Sequence, residues 1–143
     1  MLERSGERVL AGTRSGIVTA DTYPSGATQA GYFAVPQEAR GAISHITLDG
    51  TASSTISMIG HLYGYLTETT QWYHLGGIRN GATITPTSGA GPIAESTNNA
   101  RVSESFDHVS FYDRLFVAIT TLSGTGADVT ARYYFEGPKR STS

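Results

Sequence analysis

Four histidines, at positions 45, 61, 74 and 108, are the side chains of this sequence most able to hold a metal or move a proton. None has a second histidine two or four residues away, the spacing that local metal sites use. Convergence in three dimensions is the remaining route to a ligand set. His61 and His74 each lie among tyrosines, in "HLYGY" and "WYHL", and read as partners in hydrogen-bond networks on tyrosine-rich strand faces. Glu104, Asp107 and Asp113 lie close together beside His108, a grouping that could supply an acid–base pair. Acidic residues are equally at home at strand ends and turns. Gly124-Thr125-Gly126 lies inside "DRLFVAITTLSGTGADVTARYYFEG" (113–137), between two strand-like runs. A phosphate cradle needs the helix N-terminus that such glycines introduce, so this Gly-Thr-Gly, like "GGIRNG" (76–81), is a turn. "GTRSG" (12–16) sets its serine one place too late for a hydrolase elbow. With no cysteine, disulfides and thiolate metal sites are excluded. No catalytic, metal or cofactor residue emerges, and the expectation is a protein without enzymatic activity.

The elements that would position these residues are strands. "GYFAV" (31–35) stops at Pro36, and "AISHITLD" (42–49) stops at Gly50. "STISMIGHLYGYL" (54–66) puts Ile56, Met58, Leu62 and Leu66 on one face, with Gly60 and Gly64 between them. Ile59, His61, Tyr63 and Tyr65 share the other face. Two semi-apolar faces mark a central strand, and its glycines mark bends or bulges. In "QWYHLGGIRNGATITP" (71–86), Asn80-Gly81 is a strong hairpin signal, because a type I′ turn needs positive φ at both central residues. In "NARVSESFDHVSFY" (99–112) the apolar phase changes near Asp107, which predicts a bulge, a kink or a short corner. Leu115, Val117 and Ile119 then share one face, as do Val129, Ala131, Tyr133 and Phe135. The two runs joined by "SGTGAD" are expected to form an antiparallel hairpin.

No segment longer than about ten residues keeps a 3.6-residue period. The chain of 143 residues is about one domain, and charged residues make up 15% of it, against about 25% in ordinary proteins. Gly, Ser and Thr fill the difference, with β-branched Thr the most frequent. The fold expected is an all-β antiparallel sandwich, jelly-roll-like, over residues 21–136. Residues 1–20 are expected to be an extended N-terminal arm that orders against a partner, and 137–143 a flexible tail. A net charge of −2 exerts no long-range pull on nucleic acid or anionic membrane. "TISMIGHLYGYL" is too short to span a bilayer, and the N-terminus lacks the apolar core of a signal peptide.

Nine of the ten basic residues are arginine, the cation that favours interfaces. "YGYLTETTQWYH" (63–74) gathers Tyr63, Tyr65, Trp72 and Tyr73. Exposed, they could stack on sugar rings as a carbohydrate-binding module does; buried, they belong to the sandwich or to a subunit interface. The strand "WYHLGGIRNGATI", the following loop and "FYDRLFVAITTLSGTGADVTARYYF" resemble small virion proteins of tailed bacteriophages, over roughly residues 70 to 136. What the resemblance implies is a β-sandwich virion subunit made in the host cytoplasm. Its expected job is capsid decoration, cementing the major capsid protein lattice as a homotrimer; neck, tail and fibre subunits are the alternative positions. The expected interface comprises Leu2, Arg4, Arg8, Val9, Leu10 and Arg14 of the arm, with Trp72 and Tyr73. No cofactor, nucleic acid or membrane partner is expected.

Overall fold

A computed structural model describes residues 4–27, 29–78, 99–107 and 109–138. Its strands are β1 (Arg4–Ile17), β2 (Phe33–Ala34), β3 (Ser44–Thr51), β4 (Ser57–Leu66), β5 (Gln71–Ile78), β6 (Asn99–Phe106), β7 (Arg114–Ser123) and β8 (Asp128–Pro138). Short 3₁₀ turns at Gln37–Ala39 and Val109–Phe111 sit between them. Two antiparallel four-stranded sheets form, in the orders β1-β8-β3-β6 and β2-β7-β4-β5. The chain changes sheet at every connection except the β4–β5 hairpin. That interleaving is the jelly roll, the double Greek-key sandwich found in viral capsid and lectin domains.

The core forms where the apolar faces meet. Ile46 and Leu48 of β3 and Val129, Ala131, Tyr133 and Phe135 of β8 face Met58 and Leu62 of β4 and Leu115, Val117 and Ile119 of β7. These are the faces that the alternation predicts. Burying such side chains contributes about 1.5–3 kcal/mol each, the main favourable term in the fold. Between the sheets, two glycines accept rings against their backbone. A Cβ on Gly64 would lie 2.5 Å from Cγ of Tyr112, and one on Gly76 would lie 2.7 Å from Cε1 of Phe106. Gly60 adjoins a register shift between β4 and β7, as the bulge expectation required. The phase change near Asp107 is a short corner: the 3₁₀ turn buries Val109 and leaves Phe111 65% exposed.

Three expectations need correction, the smallest being the tail expected from residue 137: Gly137 and Pro138 belong to β8, where Pro138 pairs with Arg4. β7 and β8 are not a hairpin, because β7 pairs with β2 and β4 whereas β8 pairs with β1 and β3. "SGTGAD" is an arch that carries the chain from one sheet to the other. Gly124 and Gly126 take φ of 126° and 65°, and this is where positive φ is required. Thr125 N donates to Ser54 Oγ at 2.8 Å, and Thr125 O accepts from Ser53 N at 2.8 Å and from Ser53 Oγ at 3.1 Å. The glycine loop thus fastens the neighbouring β3–β4 arch. Residues 4–17 of the expected arm are extended, but they find their order on β8, along a ladder from Arg4↔Pro138 to Ile17↔Val129. The alternation of β1 is too interrupted to reveal a strand, since the ladder itself shifts register three times. The Asn80-Gly81 turn lies outside the described residues.

Candidate functional site

The outward face of the β2-β7-β4-β5 sheet gathers most of the side chains with chemical potential. Alternation on β4 points His61, Tyr63 and Tyr65 away from the core, and the register sets Tyr63 opposite His74 and Tyr65 opposite Trp72 of β5. Phe116 and Ala118 of β7 complete a second, smaller apolar cluster with Tyr63 and Trp72. His61 Nδ1 and His74 Nε2 are 2.9 Å apart, a hydrogen bond in which one imidazole donates and the other accepts. Burial, and then the facing His74 ring, lower the pKa of His61; burial lowers that of His74. Tyr63, whose ring meets His74 edge-on at 5.3 Å, has its phenol pushed up to about 12 by burial and then by Tyr23. Among the described residues no group of three histidine or acidic side chains converges on a metal-sized space. The pair holds strand to strand.

A strap, residues 18–27 of the β1–β2 connection, crosses this face. Tyr23 packs edge-on against Tyr63 at 5.8 Å. Trp72 Nε1 donates to Gly26 O at 2.9 Å, and Arg114 donates to Ala27 O while its guanidinium lies over Tyr65 and Tyr32. The strap also solves an edge problem. β2 covers only Leu115 and Arg114, which leaves the next residues of β7 with unpaired backbone groups. Asp21 takes that place: its N donates to Ile119 O at 2.7 Å and its Oδ2 accepts from Ile119 N at 2.8 Å. Arg14 from β1 forks onto both Asp21 oxygens at 2.7 and 2.9 Å, donates to Val117 O at 2.9 Å and lies 4.9 Å above the Phe116 ring. Arg14 is therefore an internal plug rather than part of an outward interface.

At one end of the sandwich, a groove of about 620 Å³ is lined by Arg40, Leu66, Glu68, Phe111, Tyr112 and Asp113 among others. Most of its polar groups already serve the fold. Arg40 donates to the carbonyls of Ser110 and Phe111 and pairs with Asp113 at 3.4 Å, and Ser110 Oγ donates to Ala42 O. Asp113 Oδ2 accepts from Thr67 N at 2.9 Å, the first cause of its lowered pKa.

The outward face of the other sheet is open and polar. Asp49 lies between Arg132 at 2.8 Å and Arg101 at 3.4 Å. His45 bridges Ser105 Oγ at 2.8 Å and Glu136 at 3.6 Å. Arg8, Val9 and Leu10 of β1 are exposed at the sheet's margin, Leu10 by 53%.

The residues expected at an interface thus separate. Leu2 and the Arg4 side chain lie outside the described residues; Arg8, Val9 and Leu10 are exposed; Arg14 is committed internally. Trp72 and Tyr73 alternate to opposite faces, so they form no joint platform. Trp72 packs 5.1 Å from Tyr65 and 6.2 Å from Phe116 beneath the strap, whereas Tyr73 lies beside Tyr112 at 6.1 Å. The aromatic strip is thus largely covered, and His61 and His74 hydrogen-bond each other on a tyrosine-rich face, with Tyr63 in ring contact with His74. Asp113 turns toward the β4–β5 turn and Arg40, and His108 lies outside the described residues. Sequence reasoning missed Asp21, whose only signal is an acid following a strand-like arginine, and Phe111, whose signal is the broken phase after Asp107. No family model, curated protein or solved structure matches the chain.

Proposed function

We propose that this chain is a non-enzymatic structural subunit of a tailed-phage particle, made in the host cytoplasm. In this reading it is a decoration protein that binds the major capsid protein lattice as a homotrimer. The observation that carries the reading is the strand order β1-β8-β3-β6 over β2-β7-β4-β5, the sandwich used by many virion subunits. The warrant is analogy of fold, joined to the resemblance in the Trp72 strand. The resemblance loses its closing hairpin, which is an arch, but keeps the strand itself as β5.

The molecule suits such a task physically. Both sheets are clamped, by paired arches at one end and by the Arg40–Asp113 contacts at the other. The exposed Arg8, Val9 and Leu10 of β1 then offer a margin to a neighbouring subunit. Many weak copies on a lattice bind through multivalency, so no single deep pocket is needed.

Light scattering of the full chain at several concentrations, followed by co-sedimentation with emptied tailed-phage capsids, tests the proposal. A mass near three times 15.2 kDa together with capsid binding supports it, and so does loss of binding in Leu10→Glu. A monomer that stays in the supernatant overturns it. Removing residues 1–20 is a poor test, because it strips β1 from β8 and unfolds the edge of the sheet.

A further inference from the structure

We propose that the His61–His74 pair is an acid-sensitive latch for the strap, so that protonation frees residues 18–27 from the aromatic face while the two sheets stay intact. The contact path is continuous. His61 bonds His74, the His74 ring meets Tyr63 at 5.3 Å, and Tyr63 carries Tyr23 of the strap at 5.8 Å. Trp72, two residues from His74 and on the same face, holds Gly26 O.

The groups facing the pair make it poorly tolerant of added charge. β4 contributes His61 and Tyr63, β5 contributes His74 and Trp72, the strap contributes Tyr23, and β7 contributes Ala118 and Phe116. The ion pair described on this face, Arg14–Asp21, is already closed on itself and on β7. One proton can be shared along the N–H···N axis. A second places two cations about 2.9 Å apart in a half-buried site, where only separation or hydration relieves the repulsion. β4 and β5 are fixed by their ladder and by the core behind them. The strap is held by one backbone bond, from Asp21 N to Ile119 O, and by the side chains of Arg14, Trp72 and Arg114, against the full ladders of β4 and β5. It is therefore the element that yields first, from Tyr23 and Gly26 outward.

The site reports on itself, because Trp72 is the single tryptophan. The full chain is titrated from pH 7.5 to 4.5 while Trp72 emission, far-UV circular dichroism and hydrogen exchange of the 18–27 peptides are followed. The latch predicts a red-shifted, more quencher-accessible Trp72 below about pH 6.5, with the sheet signal unchanged. Strap opening should rise by up to about tenfold per pH unit for each histidine released, after correction for intrinsic exchange. His74→Gln should keep the neutral spectrum and weaken the transition. The proposal is overturned by a Trp72 signal flat across the range, by an unaltered transition in His74→Gln, or by emission and circular dichroism changing together. Should His74→Gln fail to fold, exchange in the unmodified chain decides. Loss of protection in 18–27 before β3 and β8 supports the latch; simultaneous loss refutes it.

Discussion

The two sheets of this jelly roll share one core yet treat their outer faces in opposite ways. Over β2-β7-β4-β5 the outward side chains are mainly aromatic or imidazole, with Ala118 and Arg114 among them, and a strap lies on them. Over β1-β8-β3-β6 they are mainly Thr, Ser, Arg, Asp and Glu, with His45 and Tyr134 among them, and the face is open to solvent. The cause is the length of the strand at each margin. β1 runs 14 residues and pairs along most of β8, so that sheet needs no cover. β2 runs 2 residues, and the strap must supply hydrogen bonds to β7 that a longer strand would have made. Once the strap is there, the face beneath it can be apolar. A short edge strand and a second small core are thus two aspects of one arrangement.

The contrast can be broken most severely at Phe116, which is buried on the covered face. Phe116→Ala should cost about 3–5 kcal/mol in urea unfolding, as in a main core. A loss below about 1 kcal/mol would mean that the strap does not make that face a core. Asp21→Ala ranks next, at roughly 2–4 kcal/mol. It strands the Ile119 N–H and leaves Arg14 beside an uncompensated edge. Amide exchange at 116–119 should accelerate in the same variant, and unchanged exchange would remove Asp21 from the plug.

The histidine pair sharpens the comparison through pH. The unfolded chain takes up protons near pH 6.5, while His61 and His74 do so only at lower pH when folded. Their contribution is complete above about 6.5 and declines as pH falls below it, toward the lowered folded values. Urea midpoints measured from pH 7.5 to 5 should fall in the natural chain and flatten when both histidines become glutamine. The smallest effect belongs to the open face. Arg101 is 79% exposed, and Arg101→Ala should change stability by less than about 1 kcal/mol and lose even that in high salt.

Much of this was legible in the chain itself. The period-two faces of residues 54–66, 115–119 and 129–135 show which side chains enter the core, because alternation is a local property of extended backbone. The two-faced β4 follows from the same rule, and so does the tyrosine setting of His61 and His74. The site was harder to read. Trp72 and Tyr73 look like one aromatic strip in sequence, but adjacent residues on a strand face opposite ways. Arg14 reads as an arm residue because its partner, Asp21, is linked to it by the path of the chain rather than by any periodicity.

Residue pattern, then, determined by itself that the chain is all-β and which faces of β3, β4, β7 and β8 enter the main core, since each depends on neighbours within a few positions. The burial of Phe116 and Ala118 on the other face depends on the strap. Strand pairing did not follow from it. Two consecutive strands joined by glycines can close a hairpin or arch between sheets with nearly the same local preferences. That Ser53 and Ser54 bind Thr125, that β1 lies on β8, and that a strap covers His61 and His74 are contacts between distant segments. Only the assembled sandwich, in which every backbone donor and every apolar face competes for a partner at once, could decide them.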